Sequence, residues 1–264
     1  KNLDFSQYEG VQKVVSDMEG RYMVQFSDSQ LAEEAAASIN GMDGVEYAEP
    51  DRKMTIYSSE SDTEETGREA LDGEMGARRA SQHKSWGIGH IGADEYAAYA
   101  SSISSRTVKV AVIDTGVDAS HTYLEGRVLE GRDLVDNDSN ADDGHYHGTH
   151  VAGTVVDVTM ELTNIKIIPV RVLNSQGKGS SSNVANGIRY AADQGADVIN
   201  MSLGGGHSSE IDSAVRYAAS KNALCVVAAG NDNIDTSYEC PAHIEDAVTV
   251  AAIDSDERKA YFSN

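Results

Sequence analysis

The feature that most limits what this chain can fold into is a series of β-branched apolar runs that recurs from residue 108 onward. Val108 to Ile113, Ile165 to Val172, Asp197 to Ser202, Leu224 to Ala229 and Val248 to Ile253 are nearly unbroken. A strand that is apolar on both faces has to be covered on both faces. Helical patterns fill the gaps between the runs. Ser181 can cap a helix that places Val184, Ile188 and Ala191 on one face and ends before Gly195; Ser209 can cap another with Ile211, Ala214, Val215 and Ala218 inward. Strands alternating with helices predict an α/β fold, with a doubly wound, mostly parallel sheet and right-handed crossovers. Functional groups in such sheets gather at the carboxyl ends of the strands.

The chain upstream reads differently. In residues 1–57, Tyr8 to Met18 and Ser29 to Asn40 carry helical spacing, and Gly41 suits the end of the second. Arg21 to Phe26 and Val45 to Ala48 read as short strands. Helix, strand, helix, strand in so few residues predicts a small α+β domain. Residues 58–84 are a linker: Ser58 to Glu74 is crowded with Ser, Asp, Glu, Thr and Gly and has almost no apolar residue to bury. Arg78-Arg79 near its end reads either as two solvated charges or as a processing site. Residues 85–264 form the third zone, the α/β domain.

Composition excludes several functions. Hydrophobic residues are 40% and charged residues 24% of the 264, as in ordinary globular proteins. Forty-three acids against 21 bases give a formal net charge of -22, which repels nucleic acid and anionic membrane surfaces. The surplus reads as a highly solvated surface; a preference for cationic substrates and a gathering of acids around calcium are the functional alternatives. No stretch approaches the apolar length of a membrane span, Ala223 to Ala229 being the longest apolar run. The chain opens on Lys1 rather than Met, so an upstream segment is expected to have been removed or left out. Its two cysteines are too few for a disulfide scaffold. Cys225 reads as a small buried core residue, with a bridge to Cys240 as the alternative.

Three short motifs carry chemistry. The first strand ends Val112-Ile113-Asp114-Thr115-Gly116, with a carboxylate at the carboxyl end of a buried parallel strand. His147-Gly148-Thr149-His150-Val151-Ala152-Gly153 puts a histidine ahead of small residues that let a helix begin in close packing. A histidine base needs a neighbour that fixes its tautomer and stabilises the imidazolium, and a buried aspartate does this. Ala228-Ala229-Gly230-Asn231 places an amide donor directly after a buried strand, where it can serve an oxyanion.

Asp, His and Asn in this order, each at the end of an apolar element, resemble the subtilisin family, the subtilases. Asn200-Met201-Ser202-Leu203-Gly204-Gly205 adds a fourth matching motif, and the resemblance covers Trp86 to Asn264. It implies a serine endopeptidase in which Asp114 orients the base, His147 rather than His150 is the base, and Asn231 donates to the oxyanion. It further implies that Gly179, Ser202, Leu203 and Gly204 pair with an extended polypeptide substrate. Ala228, Ala229 and Gly230 would form the opposite wall of the primary pocket, with Pro241 nearby. Residues 45–51, Val-Glu-Tyr-Ala-Glu-Pro-Asp, look like the end of a subtilase propeptide. By resemblance that domain is ferredoxin-like, a folding chaperone and an intramolecular inhibitor. The family is mostly secreted or held at the cell surface, and its chemistry needs no cofactor.

The sequence departs from the family in two places. The family serine belongs to a Gly-Thr-Ser-Met-Ala motif downstream of Phe262-Ser263-Asn264, and no such motif occurs in these residues. The nucleophile is therefore expected outside this chain, on a C-terminal fragment or a longer chain, and a catalytically inactive subtilase acting as a binding or regulatory protein is the alternative. The connection from Val156 to Ile165 is also too short for the calcium loop many relatives insert there. A different acidic stretch, residues 136–144, offers Asp136, Asp138 and Asp142 as calcium ligands, although Ala141 and His147 stand where an EF-hand needs Gly and Glu. His145, His147 and His150 lack the spacing of a helical zinc pair.

Overall fold

The computed structural model describes residues 3–17, 20–57, 86–103, 106–159 and 162–264. The expected linker and Arg78-Arg79 lie outside the described residues. The chain divides into two compact units, Lys1–Asp51 and Arg52–Asn264.

In the first unit, β1 (Val11–Ser16) pairs antiparallel with β2 (Tyr22–Phe26), and α1 (Ser29–Ile39) follows. The helix expected over Tyr8 to Met18 is thus a strand in residues 11–16. Its valines at 11, 14 and 15 mimic a helical face, but they are β-branched and pair with β2, and Gly10 at φ +77° precedes them. Val45 to Ala48 forms no strand. Asp28, one residue before Ser29, caps α1 by accepting from the Gln30 amide at 2.7 Å, and Gly41 at φ +90° follows the end of α1.

The second unit opens with β3 (Lys53–Ile56) and continues through α2 (Trp86–His90), α3 (Ala93–Ile103), β4 (Val108–Asp114), β5 (Arg132–Asp133), α4 (His147–Val158) and β6 (Ile165–Arg171). Next come β7 (Lys178–Ser180), α5 (Ser181–Asp193), β8 (Val198–Met201), β9 (Leu203–Gly205), α6 (Ser209–Ser220), β10 (Leu224–Ala228) and β11 (Ala247–Val250). The main sheet has the order β11-β10-β8-β4-β6-β5 and is parallel throughout. All five apolar runs are strands of it. Ser180 and Ser208, each one residue ahead of the expected cap, cap α5 and α6.

The alternation within the strands explains the two layers. On one face Ala111, Ile113, Ile168, Val170, Ile199 and Met201 pack with Val184, Ile188 and Ala191 of α5 and Ile211, Ala214 and Val215 of α6. On the other, Val112 and Ile167 pack with Ala152 and Val156 of α4. Helices cover both faces, as the unbroken apolar runs require, and β4 lies between β6 and β8 with its carboxyl end presenting Asp114. Cys225 and Cys240 are both buried and unbridged.

A second sheet has the order β7-β3-β9. β3 lies between two antiparallel partners: Met54 faces Gly179 and Gly205, Thr55 faces Lys178 and Gly204, and Ile56 faces Leu203. Residues 52–57, assigned by sequence to the first zone, therefore belong to the second compact unit, because their partners are non-local.

Candidate active site

Asp114 is fully buried at the end of β4, and its Oδ1 accepts from the Thr115 amide at 2.7 Å. His147 is the first residue of α4, and its Nδ1 lies 2.8 and 2.9 Å from the two Asp114 carboxylate oxygens. The small residue after the histidine makes this approach available. A Cβ on Gly148 would stand 2.1 Å from the Gly116 carbonyl oxygen and 3.1 Å from Asp114 Cβ.

The start of α4 is held by Asp143, which the sequence reading left unassigned in its acidic stretch. Its Oδ2 accepts from the Thr149 amide at 2.9 Å and from Thr149 Oγ1 at 2.6 Å. Its Oδ1 accepts from Thr115 Oγ1 at 2.8 Å and the His145 amide at 2.8 Å, and Thr115 Oγ1 in turn accepts from the Gly148 amide at 3.0 Å. One carboxylate thus ties the loop after β4 to the first turn of α4. An acid four residues ahead of a helix-opening histidine, with a threonine two residues beyond, was the available signal.

Burial pulls the His147 imidazole down, but the hydrogen bond and charge of Asp114, the charge of Asp143 and a hydrogen bond to the backbone of Tyr57 together hold its pKa above the ordinary 6.5. The Tyr57 backbone thus lies beside the imidazole.

Tyr57 follows β3. Its amide donates to the Ser202 carbonyl at 3.3 Å, and its Oη donates to Glu239 Oε2 at 2.8 Å. Burial, then the bond to Glu239, pushes the phenol pKa well up, so it stays a donor. A Cβ on Gly204 would meet Tyr57 Oη at 1.8 Å, and one on Gly230 would lie 3.3 Å from it. Gly179, Ser202, Leu203 and Gly204 therefore all contact residues 54–57, and Gly230 borders the phenol. Ala229 is buried and its amide donates to the Val250 carbonyl at 2.9 Å, while Ala228 ends β10.

Asn231 follows Gly230, which has φ +107°, at the carboxyl end of β10 and is half-buried. Asn264 fixes this turn: its Nδ2 donates to the Ala229 carbonyl at 2.9 Å, and its Oδ1 accepts from the Asp232 and Ile234 amides at 2.9 and 3.1 Å. Neither Glu239 nor Asn264 was legible as a site residue, since each acts through partners remote in sequence.

The subtilase family model matches residues 105–264, more than half of the chain. The chain belongs to the subtilase family. It is 37% identical over 240 residues to the thermophilic serine proteinase of Bacillus sp. (strain AK1), covering 88% of this chain and 55% of that protein. It is 45% identical over 163 residues to thermitase of Thermoactinomyces vulgaris, covering 59% of this chain and 58% of that protein. A solved structure of a cold-adapted subtilisin-like serine proteinase superposes with a TM-score of 0.57 at 41% identity, covering 60% of this chain and 59% of the other. The chain thus spans a little over half the length of the curated relatives it matches.

The subtilase chain does not gather the acids that were candidate calcium ligands. Asp136 Oδ2 lies 2.7 Å from Arg171 Nη1, which also binds Asp133. Asp138 Oδ1 accepts from the Asn140 amide at 2.8 Å, and Asp142 is exposed. Among the described residues, these three carboxylates do not converge on one point, and neither do His145, His147 and His150. Among the described residues, the one group of three or more His, Cys, Asp or Glu side chains whose ligand atoms lie within 4.8 Å of one another is His207, Asp212 and His243.

Proposed function

We propose that this chain is the larger part of a subtilisin-like serine endopeptidase precursor that hydrolyses peptide bonds by acyl-enzyme chemistry. Residues 1–57 act as its propeptide and the serine nucleophile comes from outside these 264 residues. The observation that carries the reading is the course of residues 53–57. They run as an extended strand between β7 and β9 and bring the Tyr57 backbone beside the imidazole that Asp114 orients. An extended chain read by backbone pairing is how a protease cleft accepts a polypeptide. The bond after Tyr57 is then the processing bond, rather than the one after Arg78-Arg79.

The residues divide the work as follows. Asp114 holds Nδ1-H and stabilises the imidazolium, so that Nε2 faces the reacting centre. His147 Nε2 takes the serine proton as the new C–O bond forms and returns it to the leaving amine. The Asn231 amide donates to the oxyanion. With residues 53–57 occupying the strand position between β7 and β9, a substrate cannot pair there, which is the inhibitory state. Glu239 favours a substrate side chain that brings a hydroxyl or a cation into the pocket, so cleavage falls after Tyr, Lys or Arg.

Secretion or display at the cell surface completes the proposal; among the described residues no helix is long and apolar enough to cross a membrane. The test is to treat the full-length protein with a fluorophosphonate probe and to sequence the N-terminus of the processed form. Label on a serine beyond residue 264 and a new N-terminus at Ser58 are expected. Absence of label after removal of residues 1–57 by limited proteolysis would overturn the activity. An N-terminus at Ala80 would overturn the assignment of the processing bond.

A further inference from the structure

Outside the catalytic groups, a second set of side chains converges on one point. His207 lies in the turn after β9, Asp212 in the first turn of α6, and His243 shortly after Pro241. His207 Nε2 is 3.4 Å from Asp212 Oδ2, and His243 Nε2 is 3.3 Å from Asp212 Oδ1. Asp212 Oδ1 is buried and has no donor in hydrogen-bonding geometry. His207 is exposed, whereas Asp212 and His243 are mostly covered, with side chains 18% and 20% accessible.

The tautomer of His243 follows from its other nitrogen. Nδ1 stands 2.8 Å from the Glu239 carbonyl oxygen, which can only accept, so Nδ1 carries the proton. A neutral His243 therefore turns a bare Nε2 lone pair toward a bare carboxylate oxygen at 3.3 Å. Two acceptors face each other there, and His207 closes on the same carboxylate, its ring centroid 5.2 Å from that of His243. A cation between His243 Nε2 and Asp212 Oδ1, either a proton or a metal ion, relieves that repulsion. Donor atoms about 2.0–2.1 Å from a tetrahedral zinc are separated by about 3.3 Å; each imidazole Nε2 stands 3.4 or 3.3 Å from an Asp212 oxygen, and one ligand atom from each of the three residues lies within 4.8 Å of the others. Imidazole and carboxylate donors suit zinc, and an imidazole whose remote N–H is held by a backbone carbonyl is the usual outer support of a zinc ligand.

We propose that His207, Asp212 and His243 form a zinc site with three protein ligands and a fourth position open to water. The site stands independently of the proposed function. It ties the turn after β9 and the start of α6 to the segment that carries Glu239.

The test uses the full chain, stripped with a chelator and titrated with zinc chloride by calorimetry, with Co²⁺ absorption as a readout of geometry. One equivalent of zinc and a tetrahedral Co²⁺ spectrum are expected. His207→Ala alters an exposed side chain and should keep the fold, as circular dichroism would verify, yet weaken zinc binding by about tenfold or more. His145→Ala should leave it unchanged. No binding by the wild-type chain would assign the central cation as a proton and overturn the site. Binding that persists undiminished in His207→Ala, or an octahedral Co²⁺ spectrum, would overturn it as well.

Discussion

Replacing Tyr57 by Phe isolates the bond that ends the groove segment. The phenol Oη donates to Glu239 Oε2 at 2.8 Å, and both side chains are half-buried. Hydrogen bonds to a charged partner contribute about 1.5–3 kcal/mol, and partial solvent access puts this one near the lower end, about 1.5–2 kcal/mol. At about 1.4 kcal/mol per tenfold, detachment of residues 53–57 becomes about 10- to 30-fold more frequent. Two amides report it: Ile56, which donates to the Gly177 carbonyl at 3.1 Å, and Tyr57 itself, which donates to Ser202. Both exchange with solvent only when the segment leaves the groove, so their native-state hydrogen exchange should accelerate by that factor. The Val112 amide, in the centre of the main sheet, should not change. A change below about threefold at Ile56, against the 10-fold floor above, would refute the assignment of Glu239 as the anchor. An equal acceleration at Val112 would refute local detachment in favour of global loosening.

Other perturbations test the catalytic pair and its supports. In Asp114→Asn, burial remains while the carboxylate charge is gone, so the His147 midpoint followed by NMR should fall below its wild-type value. Under the proposed function the same change should lower kcat by about 10⁴, the size of loss this substitution causes in a Ser-His-Asp enzyme. Because the folded His147 pKa is raised above 6.5, its pairing with Asp114 stabilises the fold fully below that pH and loses this contribution as pH rises through the folded value. Urea midpoints of wild type and Asp114→Asn should accordingly converge toward alkaline pH. Gly230→Ala puts a Cβ at φ +107° and 2.2 Å from Asn264 Nδ2, and should cost about 1–3 kcal/mol in urea unfolding. Asp143→Ala removes the acceptor for Thr149, Thr115 and His145, and a loss of about 2 kcal/mol, at the upper end for a helix cap, is expected from the same measurement.

What was legible depended on whether a residue's partners lie in its own element. The five sheet strands announce themselves because a strand covered on both faces has almost no polar position, and β4 is buried through its last five residues. Asp114 and His147 were legible for the same reason: each sits where such an element ends, and their motifs carry the small residues that let Gly148 rest against Gly116. β1 failed the same logic. Val11, Val14 and Val15 repeat at a helical interval, yet Val14 and Val15 remain 43% and 48% exposed, so no buried face stood behind the pattern. The pairing with Tyr22–Phe26 decided it, and beside that contact the Asp17 carboxylate accepts from the Arg21 amide at 3.0 Å.

The groove segment lies at the far end of this scale. Lys53–Ile56 is a short mixed stretch that reads as nothing by itself, and it becomes a strand only because β7 and β9 offer edges on either side. Met54 is completely buried there, and Tyr57 finds its acceptor 182 residues away. Local propensity has no access to such a partner, so the boundary between the first and second zones was drawn at a change in composition. Structurally it falls at Asp51, where the chain stops packing with its own unit and begins pairing with residues 178–205. The conformation of this segment is set by the strands on either side of it rather than by its own residues. That is why its detachment, rather than its intrinsic strand propensity, is the quantity that Tyr57→Phe should change.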